Sequence, residues 1–239
     1  MCIFLAAGPA GGYGAAMSSD GEVIGQVEKG SGWRGSREGW LAAARQALIE
    51  TGLDAVKIQP LASRLGIART SFYWFFKDRT ALLDALLADW EAQNTGAFVA
   101  ACTGYAETIT EALLNLIAVF HDETAFDPRL DFAVRGWAHQ SEAVTARINA
   151  ADETRLTAIR AMFERFGYGA DDADVRARTV YLVQIGYIAM QVQEPPAARM
   201  SRVPRYVAIY SGQSPSPAEI ARFHARVSFT APEPGEPGR

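Results

Sequence analysis

Residues 57–83 constrain the fold more than any other stretch, because two short helical patterns and a longer one follow each other almost without a break. The apolar residues of the first pattern have the spacing that places side chains on one face of a helix: Leu61, Ala62 and Leu65. Gly66 ends this helix, because glycine adopts the left-handed conformation of a helix end without steric cost. The segment therefore predicts helices joined by a tight turn.

The second pattern has two chemically different faces. One face carries three phenylalanines, for which the spacing predicts core positions: Phe72, Phe75 and Phe76. The other face is aromatic, polar and cationic: Arg69, Thr70, Tyr73, Trp74 and Lys77. Arg and Lys side chains can contact phosphates or guanine edges, and hydroxyl groups can contact either. This arrangement is typical of a helix-turn-helix unit, whose second helix enters the major groove of DNA.

The run LASRLGIARTSFYWFFKDRTALLDALL resembles the DNA-binding segment of the TetR family of transcriptional regulators. The shared features are Leu-Gly-Ile, an aromatic-Tyr pair, a basic loop and a following Leu-Leu. The likeness is good over about residues 37–90 and elsewhere extends only to architecture. It implies that Arg69, Thr70, Ser71, Tyr73 and Trp74 face the groove or the phosphates. Lys77 would lie in the next loop, and Arg79 would hold a phosphate at the start of the following helix.

Two residues depart from the family pattern. Ala68 stands where the family frequently has serine, so the second helix lacks a side-chain N-cap worth about 1 kcal/mol. Thr70 stands where glycine is frequent, and base preferences therefore cannot be transferred. Our predicted DNA-binding set also includes Ala68 itself, Lys57 and Arg37, although Arg37 is equally consistent with a solvated surface residue. Tyr73 and Trp74 either touch the DNA backbone or pack beneath the following helix.

Charge is distributed unevenly along the chain. The net charge of −4 argues against a wholly basic nucleic-acid binder. Residues 34–79, however, contain eight Arg or Lys against four acidic residues, whereas residues 80–210 contain eleven against seventeen. A cationic amino-terminal part on an anionic body orients itself on DNA, because phosphate neutralisation drives the sequence-independent part of affinity.

The sequence favours a binding protein over an enzyme or a metalloprotein. Two cysteines lie a hundred positions apart and three histidines are scattered, so we predict no metal site, no disulfide framework and no cofactor. The expected location is the reducing cytoplasm, with no membrane association. No serine-hydrolase, metalloprotease or phosphate-loop motif occurs in a supporting context, so we expect no catalytic residues.

Helical periodicity continues to the end of the chain, and no strand pattern competes with it. We therefore predict an all-α protein: an N-terminal three-helix helix-turn-helix DNA-binding domain at residues 34–83, followed by a helical effector-binding and dimerisation domain at residues 84–211. Residues 1–33 are expected to be a disordered extension, in which Met17 is an alternative translation start. Residues 212–239 are expected to form a linker, a short helix and a disordered tail.

The predicted second domain can bind a small molecule and a second copy of the chain. An effector pocket between helices could be lined by aromatic and apolar residues that are otherwise ordinary core: Tyr105, Phe120, Phe132, Trp137, Met162, Tyr181 and Tyr187. Residues 179–192 are apolar on almost every face of the predicted helix, so a second protein surface must bury the face that does not pack on its own domain. The predicted dimer interface is Val180, Val183, Gln184, Gly186, Tyr187, Met190, Tyr206 and Tyr210, with Pro204 in the first turn of the last of these helices.

The leading hypothesis is a homodimeric regulator, most simply a repressor, that binds double-stranded DNA at a palindromic operator and is released by a small-molecule effector of unknown identity. One alternative is a constitutive DNA-binding regulator without an effector. Another is an all-helical ligand-binding or enzymatic protein that uses its basic head to dock onto a protein partner.

Overall fold

The computed structural model describes residues 35–229, and every regular element in that range is helical. The predicted all-α fold is therefore confirmed. The α-helices are α1 (Arg37–Thr51), α2 (Ile58–Leu65), α3 (Arg79–Trp90), α4 (Gly96–Thr103), α5 (Ile109–Val119), α6 (Pro128–Ala138), α7 (Glu142–Arg165), α8 (Ala170–Ala189), α9 (Pro196–Ser211) and α10 (Pro217–Arg226). Shorter 3-10 and π-helical segments are Leu53–Ala55, Arg69–Trp74 and Glu91–Thr95. The predictions for residues 1–33 and for the last ten residues lie outside the described range.

The sequence predicts Ser36 and Asp78 as N-caps, because serine and aspartate are favoured at the start of a helix. Ser36 accepts a hydrogen bond from the Gly39 amide at 3.0 Å and so caps α1. Asp78 accepts one from the Ala81 amide at 2.9 Å and caps α3. At the end of α2, Gly66 has a φ of 66°, which a residue with a side chain rarely adopts.

The position of Pro204 differs from the prediction. It lies in the interior of α9, which already begins at Pro196, instead of in the first turn of a shorter helix. Proline at the start of a helix is favoured by its fixed φ, whereas an interior proline removes a backbone hydrogen bond. Val203 and Val207 are buried on either side of Pro204 and hold the helix against the body, so this loss is tolerated.

The apolar interior forms two clusters, and the first crosses the predicted domain boundary at residue 84. It contains the inward faces of α1, α2 and α3 and also residues from α6 and α7: Leu130, Val134, Trp137, Val144, Ile148 and Ala151. We call α1 to α3 the head and the helices from α4 onward the body. Because α6 and α7 complete the core of the head, the head and the body share one continuous contact surface.

A π-helical segment at Glu91–Thr95 connects α3 of the head to α4 of the body. Such segments are rare and frequently occur at functional sites. Asn94 is fully buried there; its amide nitrogen donates to the Asp127 carbonyl at 3.0 Å and its oxygen accepts from the Asp127 amide at 3.1 Å. Gln93 donates to the Thr124 carbonyl at 2.9 Å. The π-segment is therefore bonded to the loop that precedes α6.

A buried ion pair joins α6 to α7 directly beside this segment. Arg155 and Asp131 are both 0% exposed, and Arg155 Nη1 lies 3.2 Å from Asp131 Oδ1. Trp90 Nε1 donates to the same carboxylate at 3.1 Å, and Arg155 Nε donates to Thr95 Oγ1 at 3.0 Å. The guanidinium also lies 5.2–5.8 Å from the ring centroids of Trp90, Phe98 and Phe126. These hydrogen bonds and aromatic faces replace much of the water that both charges have lost, while Arg155 Nη2 has no hydrogen-bond partner within residues 35–229.

Three further side chains extend this pair into what we call the junction network: Asp131, Arg135, Asp152, Arg155 and Tyr181. Arg135 binds Asp131 at 2.8 Å and binds both oxygens of Asp152 at 3.0 and 2.7 Å. Tyr181 of α8 donates to Asp152 at 2.6 Å. Burial alone would raise the pKa of Asp131, but the charges of Arg155 and Arg135 outweigh it and lower the pKa.

The second cluster is the core of the body, and α10 belongs to it. Phe223 is buried in this cluster. Glu219 forms a capping box with Ser216 and accepts hydrogen bonds from Thr108 and from Thr110, the latter at 2.7 Å. The short helix predicted after residue 212 therefore packs on α5. Within residues 35–229, none of the helices combines the length and the apolar character that crossing a membrane requires.

The junction network predicts a large effect for Asp131→Asn. This change leaves the buried Arg155 with only the more distant Asp152 carboxylate, at 3.9 Å, as a countercharge, and we expect it to lower the free energy of unfolding by about 3–5 kcal/mol in urea titrations at neutral pH. Because the folded-state pKa of Asp131 is lowered, its stabilisation is complete above its ordinary pKa of 3.8 and is lost as the pH falls through the folded value. Asp174→Asn, which removes a partly exposed carboxylate paired with Arg160 and Arg178, is the control and should change stability little. Equal effects of the two variants would contradict this account of the network.

Candidate DNA-binding interface

The segment predicted to read DNA is Arg69–Trp74, which we call the reader segment, and it forms a 3-10 helix instead of the predicted α-helix. Ala68 supplies no side-chain cap. The Ser71 amide donates to the Ala68 carbonyl at 3.0 Å and its hydroxyl donates to the same oxygen at 2.7 Å. Both bonds draw the first turn tight, and this favours the narrower helix over six residues.

The same hydrogen bonds correct the prediction for Ser71. Its side chain is buried at 5% exposure, so it does not face solvent or DNA. Phe75 also differs from its prediction, since it is half-buried and packs at the edge of the core. The tighter 3-10 winding changes the face on which each side chain lies, which α-helical spacing could not anticipate.

The reader segment rests on an aromatic core. Phe72 is fully buried, and its ring meets Trp40 of α1 edge to face at a centroid distance of 5.1 Å. The Phe76 ring stacks on Phe72 at 5.5 Å. Large buried rings with fixed contacts hold a short helix in one orientation. The predicted core positions of Phe72 and Phe76 are therefore confirmed.

The outer face of the head presents most of the predicted DNA-binding side chains to solvent. Tyr73 is 51% exposed and Trp74 is 67% exposed, so neither packs beneath α3. Arg69 Nη2 lies 3.5 Å from the Tyr73 hydroxyl. The other exposed members of the set are Arg37, Lys57, Ala68, Thr70 and Lys77. Hydroxyl, indole and cationic groups on one accessible face are the groups that contact DNA phosphates and base edges.

Two arginines of the set have additional contacts within the protein. The Arg37 guanidinium lies 5.3 Å from the centroid of the Phe76 ring. Arg79 is half-buried; its Nε donates to the Val56 carbonyl at 2.5 Å and its Nη2 donates to the Leu53 carbonyl at 3.0 Å. Arg79 thus satisfies carbonyls at the turn between α1 and α2. Its role as a phosphate contact stays a prediction, with only part of its guanidinium left for it.

The predicted effector-pocket residues do not share one cavity. Tyr105 is 90% exposed in the loop before α5, and Phe132 is 39% exposed on α6. Trp137 lies in the cluster of the head. Phe120, Met162 and Tyr181 are core residues of the body, and the Tyr187 hydroxyl lies 3.0 Å from that of Tyr206. The prediction was wrong as a set because it chose residues by aromatic character, which does not define a common face.

The predicted dimer residues are only partly at the surface. Val180, Gln184 and Tyr210 are at most 3% exposed and pack inside their own protomer, so they are corrected to core positions. Val183, Gly186, Tyr187 and Tyr206 are half-buried, and Met190 is 78% exposed. Three exposed apolar residues were missed: Val175 at 63%, Leu182 at 59% and Ile209 at 70%. The spacing of Val175, Leu182, Gly186 and Met190 places them on one face of α8, and this periodicity was readable in the sequence.

The fold and the exposed face of the head define a helix-turn-helix protein with a helical body. The family model described as "Bacterial regulatory proteins, tetR family" matches residues 41–86. Residues 41–86 of the head are therefore similar to the corresponding segment of this family.

The similarity to curated proteins is concentrated in the head. The tetracycline repressor protein class D of Escherichia coli is 43% identical over 59 residues, which are 25% of this chain and 27% of that repressor. The class H repressor of Photobacterium damsela subsp. piscicida matches equally well over the same lengths. The chain thus spans about a quarter of the length of these relatives.

Solved structures share the fold of most of the chain. Mycobacterium smegmatis AmtR has a TM-score of 0.58 and 18% identity, covering 87% of this chain and 100% of that one. SmeT, the repressor of the Stenotrophomonas maltophilia multidrug efflux pump SmeDEF, has a TM-score of 0.53 and 22% identity, covering 77% of this chain and 97% of its own. The likeness covers the head and the helical body together.

The two arginines at the interface should respond differently to alanine. Arg69→Ala removes an exposed cation, so we expect weaker DNA binding, a slope of log affinity against log salt that is smaller by about 1, and unchanged thermal stability. Arg79→Ala leaves the Val56 carbonyl without its donor and removes one of the two donors to the Leu53 carbonyl, so we expect a loss of about 1–3 kcal/mol of stability. Fluorescence anisotropy at several salt concentrations and thermal melting separate these effects. Arg79→Ala with native stability would contradict the contacts assigned to it.

Proposed function

We propose that this chain is a DNA-binding transcriptional regulator, acting as a repressor that a small-molecule effector releases from its operator. The observation that carries the proposal is the reader segment, which rests on buried Phe72 and presents Arg69, Tyr73 and Trp74 outward. The match of residues 41–86 to the tetR family model supports the same reading. Phosphate contacts from Lys57 and Lys77 would position the head, and Arg69 and Thr70 would contact base edges.

We further propose that two copies bind a palindromic operator together. The exposed apolar side chains of α8 and α9, which we call the apolar face, support a second copy as the occupant: Val175, Leu182, Met190 and Ile209. Gly186 lies at this face with no atom within 4 Å of where a Cβ would stand, which leaves room for the close approach of another helix. A two-fold pair of heads requires half-sites about one helical turn apart, roughly 34 Å.

The contacts between head and body support release by an effector. Asp127 precedes α6 and binds Arg45 of α1 at 2.9 Å, while its backbone binds Asn94 of the π-segment. A ligand that binds one arrangement of these helices more tightly than another shifts the balance between them, and with it the spacing of the two heads.

Anisotropy with duplexes from the DNA flanking its own gene tests the DNA-binding claim. We expect tight binding at low salt, a steep loss of affinity with added salt, and discrimination against a shuffled duplex of equal length. Replacement of Lys57 and Lys77 by alanine should weaken binding to both duplexes alike, since phosphate contacts carry no sequence information. Absence of binding to any duplex at low ionic strength would refute the proposal.

The dimer predicts a specific effect for Leu182→Glu. A carboxylate at the centre of the apolar face should convert the dimer to a monomer in sedimentation velocity and lower operator affinity at least about tenfold, because each head then binds alone. Ala161→Glu, at an exposed position on α7, is the matched control and should leave the dimer intact. A Leu182→Glu protein that remains dimeric would show that another surface pairs the chains.

A further inference from the structure

A cavity of about 380 Å³ lies between the end of α5, the loop before α6 and the end of α10. Its wall includes small apolar side chains such as Ala118 and Val227. The rest is polar and charged: His121, Asp122, Glu123 and Arg226. None of these residues belongs to the predicted effector pocket, to the apolar face or to the DNA-binding face. The volume lies within the range of sites for small organic molecules.

His121 is the least satisfied polar group at this cavity. Both ring nitrogens are buried, and neither has a hydrogen-bond partner within residues 35–229. Burial lowers the pKa of His121 to about 3, so the imidazole is neutral in the cell and offers one donor and one acceptor. Buried polar atoms are almost always paired in native proteins, because an unpaired one costs stability. The residue lines the cavity, so a ligand that both donates and accepts hydrogen bonds could pair these nitrogens once the ring turns toward it.

Opposite charges flank the imidazole in the wall of the cavity. Hydrogen bonds from Thr124, together with the positive charge of Arg226, lower the pKa of Asp122 and keep it ionised. Arg226 donates through Nη1 to Asn115 at 2.7 Å. No ion pair within 4.0 Å joins Arg226 to Asp122 or Glu123 in the described part of the chain. A ligand with a positive and a negative end matches such a wall better than an ion of one sign.

We propose that this cavity binds a small zwitterion of the α-amino-acid type. Its ammonium group faces Asp122 and Glu123, its carboxylate faces Arg226, and the imidazole of His121 turns toward the cavity to bond the polar groups between them. Charge-assisted hydrogen bonds at both ends select the zwitterion over a simple amine or a simple carboxylic acid, each of which leaves one charge of the wall unpaired.

The position of the cavity gives such a ligand a route to the head. His121, Asp122 and Glu123 begin the loop that ends at Asp127. Gln93 of the π-segment donates to the Thr124 carbonyl at 2.9 Å, and Asp127 binds both Asn94 and Arg45 of α1. A ligand that orders this loop therefore acts on the connection between head and body. This regulatory part rests on the proposed DNA-binding function, whereas the binding site itself does not.

Calorimetry and thermal shift with the full-length protein test the site, with the proteinogenic L-amino acids as probes. We expect at least one amino acid to bind and raise the melting temperature, and its decarboxylated amine and deaminated acid to bind at least about tenfold more weakly. If no amino acid binds, or if the amine or the acid binds equally well, the proposal is overturned.

Three variants then locate the binding. His121→Phe keeps an aromatic ring but removes both nitrogens, so affinity should fall about tenfold or more without loss of stability. Arg226→Gln removes the cation and should cost a similar factor. Arg222→Gln, one turn earlier on α10 and paired with Glu111 at 2.8 Å, is the matched control and should bind like the wild type. Unchanged affinity in both His121→Phe and Arg226→Gln would place the ligand elsewhere and overturn the assignment.

Anisotropy with operator DNA separates the site from the regulation. An amino acid that binds the wild-type protein and changes its affinity for DNA, but not that of His121→Phe, supports both the site and its regulatory role. Amino-acid binding by a protein that binds no duplex would support the site and refute the proposed DNA-binding function. Binding to both without mutual influence would refute the regulatory part, since coupling must be reciprocal.

Discussion

The buried ion pair between Arg155 and Asp131 determines how the head is held on the body. Two charges removed from water are stable only with close countercharges and satisfied hydrogen bonds, so the surrounding groups must keep their places. Trp90 and Thr95 bring the end of α3 and the π-segment to this pair, and Tyr181 brings α8. One polar network thus connects the helix that leaves the head with the helix that carries the apolar face. If either helix moves, side chains of the network must exchange hydrogen-bond partners. This favours discrete arrangements of the helices over gradual deformation.

The head itself is a rigid support for a short reader. The aromatic contacts of Phe72 and Trp40 fix the segment, and α6 and α7 complete the core beneath it. A reader that rests partly on the body moves when the body moves. This explains physically how a site as distant as the His121 cavity can influence DNA binding through the loop at residues 121–127. Regulation of the proposed DNA-binding dimer by the proposed amino-acid site depends on these contacts between the head and the body.

Local patterns predicted what local interactions determine. The caps at Ser36 and Asp78, the glycine turn at Gly66 and the buried positions of Phe72 and Phe76 follow from residues a few positions apart, and the structure confirms them. Asp131 and Arg155 are 24 positions apart on different helices, and no periodicity in the sequence predicts their contact. Ser71 was misassigned because a hydrogen bond to Ala68 changes the winding of the helix. The residues of the predicted effector pocket lie in different parts of the structure, because tertiary packing determines which helix faces lie next to each other.

In the proposed dimer, two heads read a symmetric site in duplex DNA. Selection of genomic fragments by the purified protein, followed by hydroxyl-radical footprinting of the recovered fragments, tests this proposal. We expect an inverted repeat whose half-sites are protected on one side of the duplex, with centres about one helical turn apart, roughly 34 Å. Recovery of fragments without a common motif, or a single unpaired half-site, would contradict it.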